Sequence, residues 1–301
     1  MPRVSILMTV YNARKYIEQA ISSIINQSVT DWELIIIDDG SIDDSQSIIN
    51  SFSDARIISY FLPENIGRIN ALNQACQKAT GEFVAILDAD DVAEENRLQV
   101  QLEFMDRNKD VGVVSAWAKF IDESGSIISY YRPPAFPSYV NELLSSEMVI
   151  VHSTMLIRRS ILVDEFHYYS SEFKIGHDWE LCVRVAHKYR ICIIGEVLGS
   201  WRRYSASLTG SRENFLKGRI ENFKILEKAR SLAQTTDSKT KSRRKIAITL
   251  LAISYYYFLD LKLVIGWQYF WQAISTDISC LVLNQKIRNL LGQNIPYVCS
   301  D

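Results

Sequence analysis

The sequence predicts an α/β fold, an open and mostly parallel central sheet flanked by helices and followed by a helical C-terminal tail. Three observations carry this. Short β-branched apolar runs recur through the first hundred residues, helical spacing fills the gaps between them, and from Asn214 onward the pattern is helical.

Val4 to Val10 and Glu33 to Ile37 are apolar runs bounded by polar turn residues, and Phe83 to Leu87 repeats them, the pattern of strands buried on both faces. Between them Tyr16, Ala20, Ile21 and Ile24 recur at the spacing of an amphipathic helix, as do Ala71, Leu72, Ala75 and Ala79 before Gly81. Such alternation makes βαβ units, whose ligands bind at the carboxyl ends of the strands. After Asp110 two strand-like runs, Val111 to Phe120 and Ile127 to Tyr131, flank the turn at 122–125 and read as a mixed extension of the sheet. The breaker PPAFP follows at 133–137, then a predicted helix over Glu142 to Met148, another over Asp178 to Tyr189 and a strand over Ile191 to Gly199. The polar, aperiodic stretch QTTDSKTKS at 234–242 reads as a linker between two helical pieces. The expected division is a sheet domain over 1–212 and a helical region over 213–301.

At 301 residues, 48% hydrophobic and 23% charged, the chain is outside the disordered, collagen-like and disulfide-scaffold classes. Cys76, Cys182, Cys192, Cys280 and Cys299 are scattered without a CxxC pair, which argues against a zinc ribbon and for a reducing cytosol. The first 12 residues lack the features of a secretory peptide and read as a strand. The net charge of −2 is zoned: Arg202 to Lys245 holds 13 Lys and Arg against 4 Asp and Glu, a local +9 that leaves −11 elsewhere. This zone runs into Ile246 to Leu259, 14 residues, short of the roughly 20 that span a bilayer. The expected location is therefore cytoplasmic, with peripheral contact at the inner face of the cell membrane as an option, since anionic lipid attracts basic segments. Tyr255, Tyr256, Phe258, Leu259, Trp267, Phe270 and Trp271 either pack as a helical hairpin or lie against that surface.

The chain has no GxxxxGK[ST], HExxH, GxSxG or GxGxxG, so ATPase, zincin, lipase and dinucleotide readings lose their usual support. It does have acidic clusters just after strands, Asp38-Asp39-Gly40-Ser41 and Asp88-Ala89-Asp90-Asp91. Clustered carboxylates repel and resist desolvation unless a cation or buried donors offset them, and a hard divalent ion fits such oxygen ligands. Taken singly, each cluster is equally a turn or a helix cap.

The string VSILMTVYNARKYIEQAISSIINQSVTDWELIIIDDGSIDDS resembles the N-terminal signature of the family 2 glycosyltransferases. The resemblance continues through PENIGRINALNQACQKATGEFVAILDADD, HSTMLIRRS and GHDWELCVR, over roughly residues 3–210. It implies the GT-A (nucleotide-diphospho-sugar transferase) fold. It also implies roles: Thr9, Val10 and Tyr11 line the base of a nucleotide-sugar, Asp39 hydrogen-bonds the uracil, and Asn65, Gly67 and Arg68 form a loop near the nucleotide. Asp88 is the ribose-side acid of the DxD pair, Ala89 lies within it, and Asp90 ligates the Mn²⁺ or Mg²⁺ that bridges the diphosphate. Asp91 either supports that site or caps the next helix.

On the acceptor side the family's Glu-Asp-aromatic pattern reads His177, Asp178, Trp179. Asp178 keeps the place of the general base, and His177 departs from the usual Glu, from which a low-pH limb governed by a coupled pair is expected. Trp179 either stacks on a sugar face or packs in the core. Tyr204 stands where many members carry a metal-ligating His. No QxxRW, the mark of processive synthases, is present, which favours single-residue transfer. The resemblance implies a metal-dependent inverting transferase taking a nucleotide-sugar, above all a UDP-sugar, to a glycan or lipid-linked glycan acceptor in surface polysaccharide or glycolipid biosynthesis, with no nucleic acid partner. Two other classes stay open. A sugar nucleotidyltransferase would carry a Gly-rich loop where MTVYNARKY has no glycine, and a non-catalytic nucleotide-sugar-binding protein would not require Asp88, Asp90 and Asp178 together.

Overall fold

The computed structural model describes residues 1–135, 137–204, 212–233, 235–259 and 262–277. They fall into two compact units: the described residues up to Tyr204 apart from 145–147, and residues 145–147 with the described residues from Arg212.

The first unit is built on one nine-stranded sheet. Its strands are β1 (Val4–Val10), β2 (Trp32–Asp38), β3 (Ile57–Phe61), β4 (Phe83–Ile86), β5 (Val92–Ala93), β6 (Val111–Ile121), β7 (Ile127–Tyr131), β8 (Leu156–Arg158) and β9 (Arg190–Arg202). They lie in the order β3-β2-β1-β4-β8-β6-β9-β5, with β7 beside β6. The pairings of β1 with β2 and β4, and of β2 with β3, are parallel. Beyond β4 the sheet is mixed, antiparallel except where β6 meets β9.

Helices α1 (Ile17–Ile25), α2 (Ser45–Asn50), α3 (Arg68–Lys78), α4 (Arg97–Arg107), α5 (Pro137–Leu143) and α6 (His177–Ala186) flank it, with a 3₁₀ turn at His152–Thr154 and a π-helical turn at Ser160–Glu165. Every residue of β2 and β4 is buried, and the apolar stripe Ile17, Ala20, Ile21, Ile24 of α1 joins Ile6, Met8, Leu34 and Ile36 in the core. Burial of such a side chain contributes about 1.5–3 kcal/mol.

Two elements differ from expectation. The helix predicted over Glu142 to Met148 forms earlier, at Pro137–Leu143, because proline fits the first helical position and stops no helix there. The predicted linker at 234–242 is helical from Thr236, since Thr235 Oγ1 accepts from the Ser238 amide at 3.1 Å as an N-cap and Lys241 pairs with Asp237 at 2.7 Å one turn away. Gln234 lies outside the described residues. Strands β3, β5 and β8 and helices α2 and α4 were not foreseen; β3 is an edge strand with no buried residue, Ile58, Tyr60 and Phe61 being 37–38% exposed.

The second unit comprises α7 (Arg212–Leu232), α8 (Thr236–Leu259) and α9 (Leu263–Thr276). Ile225, Leu226 and Ala229 of α7 are buried, as are Ile246, Ala247, Leu250 and Ile253 of α8 and Ala273 of α9. Tyr257 and Tyr269 stack with centroids 5.5 Å apart, and Ser254 Oγ donates to the Gly266 carbonyl at 2.9 Å, joining α8 to α9 as a hairpin. No helix among the described residues is long and apolar enough to cross a membrane. Cys76, Cys182 and Cys192 are free and buried; Cys280, Cys299 and the side chain of Phe258 lie outside the description.

Candidate active site

Parallel pairing of β1 between β2 and β4 brings three strand ends together, so Asp39 and Asp88 flank the segment Thr9, Val10, Tyr11. Val10 is buried, Thr9 half-buried and Tyr11 51% exposed. The Asp39 amide donates to the Val10 carbonyl at 2.7 Å. Next to it Asn12, left-handed at φ 53°, ties the loops after β1 and β2, donating its amide to Ser41 Oγ and accepting from the Ile42 amide, both at 2.9 Å.

The Asp39 carboxylate accepts the amides of Ile66 at 2.7 Å and Gly67 at 3.0 Å. Burial raises its pKa and those two donors lower it, leaving it above the ordinary carboxylate value. Asp39 thus holds the 64–67 loop, which sequence reasoning did not anticipate. Asn65 is exposed and accepts from the Gly67 amide at 3.1 Å. Gly67, at φ 91°, precedes α3 and makes Arg68 its first residue.

Arg68 Nη2 donates to Asp88 Oδ1 at 2.6 Å, while its Nε is buried without a partner. Burial pushes the Asp88 carboxyl up, but Arg68 and then His152 overcome this and hold it well below the usual range. Asp88, Asp90 and Asp91 each bring a carboxylate oxygen within 4.8 Å of the others. Ala89 between them is buried. Asp91 is engaged by Ser153 Oγ and by the Arg202 amide at 2.8 Å, whereas among the described residues Asp90 receives the Tyr204 hydroxyl at 3.0 Å and a guanidinium bond to its carbonyl. Burial and mutual repulsion raise the pKa values of Asp90 and Asp91. Hard oxygen donors in this state fit a divalent cation such as Mn²⁺ or Mg²⁺, with Asp90 the least committed ligand.

Asp178, at the start of α6, is half-buried. Burial raises its pKa; His152 and the Trp179 amide at 2.8 Å partly offset this, and the net shift is upward. His177 is 3% exposed, and its two ring nitrogens are buried. Burial, then the charges of His152 and Arg68, put its pKa well below the ordinary histidine value. A shift in that direction favours the neutral ring and weighs against the coupled low-pH limb. Trp179 is 4% exposed and donates its indole N–H to the Leu144 carbonyl at 2.9 Å, so the packing alternative describes it.

Three residues were missed. His152 sits 3.6 Å from Asp88, Tyr169 sits 3.2 Å from His152, and buried Arg202 bonds to Asp90, Asp91, Asp122 and Gln19. HSTMLIRRS signalled the first of them, and the segment WRRYSAS at 201–207, where the family resemblance implies an Arg-and-His pattern, contained the last without singling it out.

The family model described as "Glycosyl transferase family 2" matches residues 5–166. An uncharacterized glycosyltransferase of Methanocaldococcus jannaschii is 32% identical over 230 residues, 74% of this chain and 76% of its own length. The Bacillus subtilis glycosyltransferase TuaG, named for teichuronic acid biosynthesis, is 43% identical over 106 residues, 35% of this chain and 42% of its own. Among solved structures, TarS 1-349 of S. aureus in complex with UDP has a TM-score of 0.69 at 18% identity, covering 100% of this chain and 95% of that one. The mannosyltransferase PcManGT from Pyrobaculum calidifontis, in complex with GDP-Man and Mn²⁺, has a TM-score of 0.63 at 18% identity, covering 97% and 81%. At such identities the structural likeness establishes the fold.

Proposed function

The chain belongs to glycosyltransferase family 2 with the GT-A fold, and from that membership we propose that it moves one sugar from a nucleotide diphosphate sugar, a UDP-sugar first among them, to an acceptor hydroxyl with inversion. One observation carries this reading: the acid cluster Asp88, Asp90, Asp91 lies beside His152, whose ring is 5.0 Å from that of His177, the residue preceding the half-buried carboxyl of Asp178.

In this reading Thr9, Val10, Tyr11 and Asp39 receive the nucleobase, and Asn65, Gly67 and Arg68 lie beside the nucleotide with Asp88 and Ala89. The partnerless Nε of Arg68 is a donor suited to a phosphate or ribose oxygen. Asp90, supported by Asp88 and Asp91, would hold Mn²⁺ or Mg²⁺, which when bound offsets the negative charge of the leaving diphosphate. Asp178 takes the proton of the acceptor hydroxyl as that oxygen attacks the anomeric carbon, and a raised pKa makes it a stronger base than an ordinary carboxylate. With His177 in place of the Glu that the family resemblance implies, no second carboxyl directly precedes Asp178.

The name of TuaG supports a glycan or lipid-linked glycan acceptor in surface polysaccharide assembly. The basic zone and the exposed apolar face of α9 support peripheral attachment at the inner membrane face. Incubation with a panel of sugar nucleotides and Mn²⁺ tests the reading. Release of nucleotide diphosphate with a product of inverted configuration supports it; pyrophosphate release would favour a nucleotidyltransferase, and binding without turnover a non-catalytic protein.

A further inference from the structure

Behind the Arg68–Asp88 pair stands a chain of buried groups to which the roles above assign nothing. Tyr169, 2% exposed, follows two consecutive left-handed residues, His167 at φ 51° and Tyr168 at φ 74°. Side-chain-bearing residues disfavour that conformation and keep it where surrounding contacts enforce it, which marks functional sites more often than packing ones. Here the enforcement is heavy. Arg184 donates to the Phe166 carbonyl at 2.9 Å and the Tyr168 carbonyl at 3.0 Å, and is itself gripped by buried Glu180 at 2.8 and 2.9 Å. Asn73 of α3 takes both backbone groups of Tyr169, donating to its carbonyl at 2.9 Å and accepting its amide at 3.0 Å.

What this delivers is one hydroxyl. The Tyr169 oxygen lies 3.2 Å from His152 Nε2, and the opposite ring nitrogen, Nδ1, lies 3.4 Å from Arg68 Nη2 and 3.6 Å from Asp88 Oδ1. The ring of His177 stands edge-on to His152 at 5.0 Å and to Tyr169 at 5.6 Å, closing the space into which His152 would otherwise swing. Arg68 and Asn73 belong to the same helix, so the path from Asn73 through Tyr169, His152 and Asp88 returns to α3 as a closed circuit.

We propose that Tyr169 acts through His152 as a positioning residue for the Arg68–Asp88 pair, and so for the nucleotide portion of the donor. The inference rests on the donor reading given above. Neither residue needs to touch the donor: the phenol fixes the imidazole, and the imidazole restricts where Arg68 and Asp88 can point.

Tyr169→Phe keeps the ring and removes one oxygen, which separates positioning from packing. UDP binding in the presence of Mn²⁺ is measured by calorimetry, beside donor KM, kcat and Tm. Loss of one such hydrogen bond predicts UDP binding weakened about 3- to 10-fold, with the kinetic change falling on KM more than on kcat. His152→Gln should behave alike and carries the test if the Phe variant is unstable; the double variant should bind no worse than the weaker single, because both interrupt one circuit. UDP affinity of Tyr169→Phe within twofold of wild type, or losses that simply add, would overturn the proposal alone. Wild-type protein that binds neither UDP nor GDP would overturn the donor reading and this inference with it.

Discussion

The Tyr204 hydroxyl donates to Asp90 Oδ2 over 3.0 Å. Tyr204 stands where the sequence resemblance implies a metal-ligating histidine, so this contact places a donor beside the proposed metal residue. The tyrosine is held there by its tilted packing against Tyr16, centroids 5.4 Å apart, while burial and the nearby Asp90 charge keep the phenol protonated.

Asp90→Ala should therefore abolish transfer, and EDTA should do the same to the wild type until Mn²⁺ is restored. Tyr204→His exchanges a proton donor for a nitrogen ligand and should tighten Mn²⁺ binding by about tenfold, the lower end of what one neighbouring-group change does at a metal site. Mn²⁺ titration read by activity and by thermal shift checks both. Full activity in EDTA removes the metal from the reading.

Asp178→Asn should keep the fold and donor binding but lose about 10²- to 10⁴-fold in kcat, because an amide cannot take the acceptor's proton. The pH behaviour has a definite sign. Burial raises the folded-state pKa of Asp178 above its unfolded value, so its charge costs stability as pH rises through the raised pKa. At pH 7 the Asn variant should be at least as stable as wild type, an advantage that fades in acid. The acid limb of kcat/KM should report a carboxyl with a midpoint above about 3.9, because burial raises the pKa of Asp178. Retention of a tenth of wild-type turnover in Asp178→Asn would remove it as base.

Asp39, Asp88 and Asp90 stood out in the sequence because they follow apolar strand runs, and parallel pairing of β1 with β2 and β4 brings those strand ends together. His152, Tyr169 and Arg202 were not. Each gains its meaning from partners 62 to 112 positions away or in another element, as Ser153 does with Asp91 and Arg202 with the Asp90 carbonyl. A histidine or tyrosine in a quoted string carries no sign of whether it is buried against a carboxylate. The helix at Thr236 was hidden for another reason: its first turns are polar and stabilised by a cap and an ion pair, so no apolar period announces them.

Gly40 and Gly67 both have positive φ, 71° and 91°, but their surroundings differ. A Cβ on Gly40 would lie 2.6 Å from the backbone carbon of Glu64 and 2.8 Å from the Asn65 nitrogen, whereas one on Gly67 meets nothing within 4 Å. Gly67, at ψ 141°, lies in a region that essentially only glycine adopts, so Gly67→Ala should cost that strain alone, about 1–3 kcal/mol. Gly40→Ala adds displacement of the 64–67 loop, about 2–4 kcal/mol in all, and should weaken nucleotide binding because that loop hangs on Asp39. Urea denaturation with UDP titration checks the pair; equal costs at the two glycines would contradict the packing argument.

On α9 the apolar surface and the basic zone bear on one question. Val264 is 73% exposed, Trp271 63%, Leu263 55% and Trp267 51%, while Tyr257 and Tyr269 stack between α8 and α9. The aromatics thus divide: some build the hairpin, and others present an apolar face to solvent. The local +9 of Arg202 to Lys245 supplies attraction to anionic lipid of about 1 kcal/mol per basic residue near the surface, and amphipathic faces with tryptophan insert at the headgroup level. Vesicles rich in anionic lipid should therefore carry the protein upward in flotation at low salt and release it at high salt, and Val264→Ser with Trp271→Ser should reduce binding without lowering donor turnover. No flotation at low salt would remove the membrane hypothesis. Binding that resists both high salt and alkaline carbonate would mean that apolar insertion, not charge, dominates attachment, and the serine pair should then abolish it.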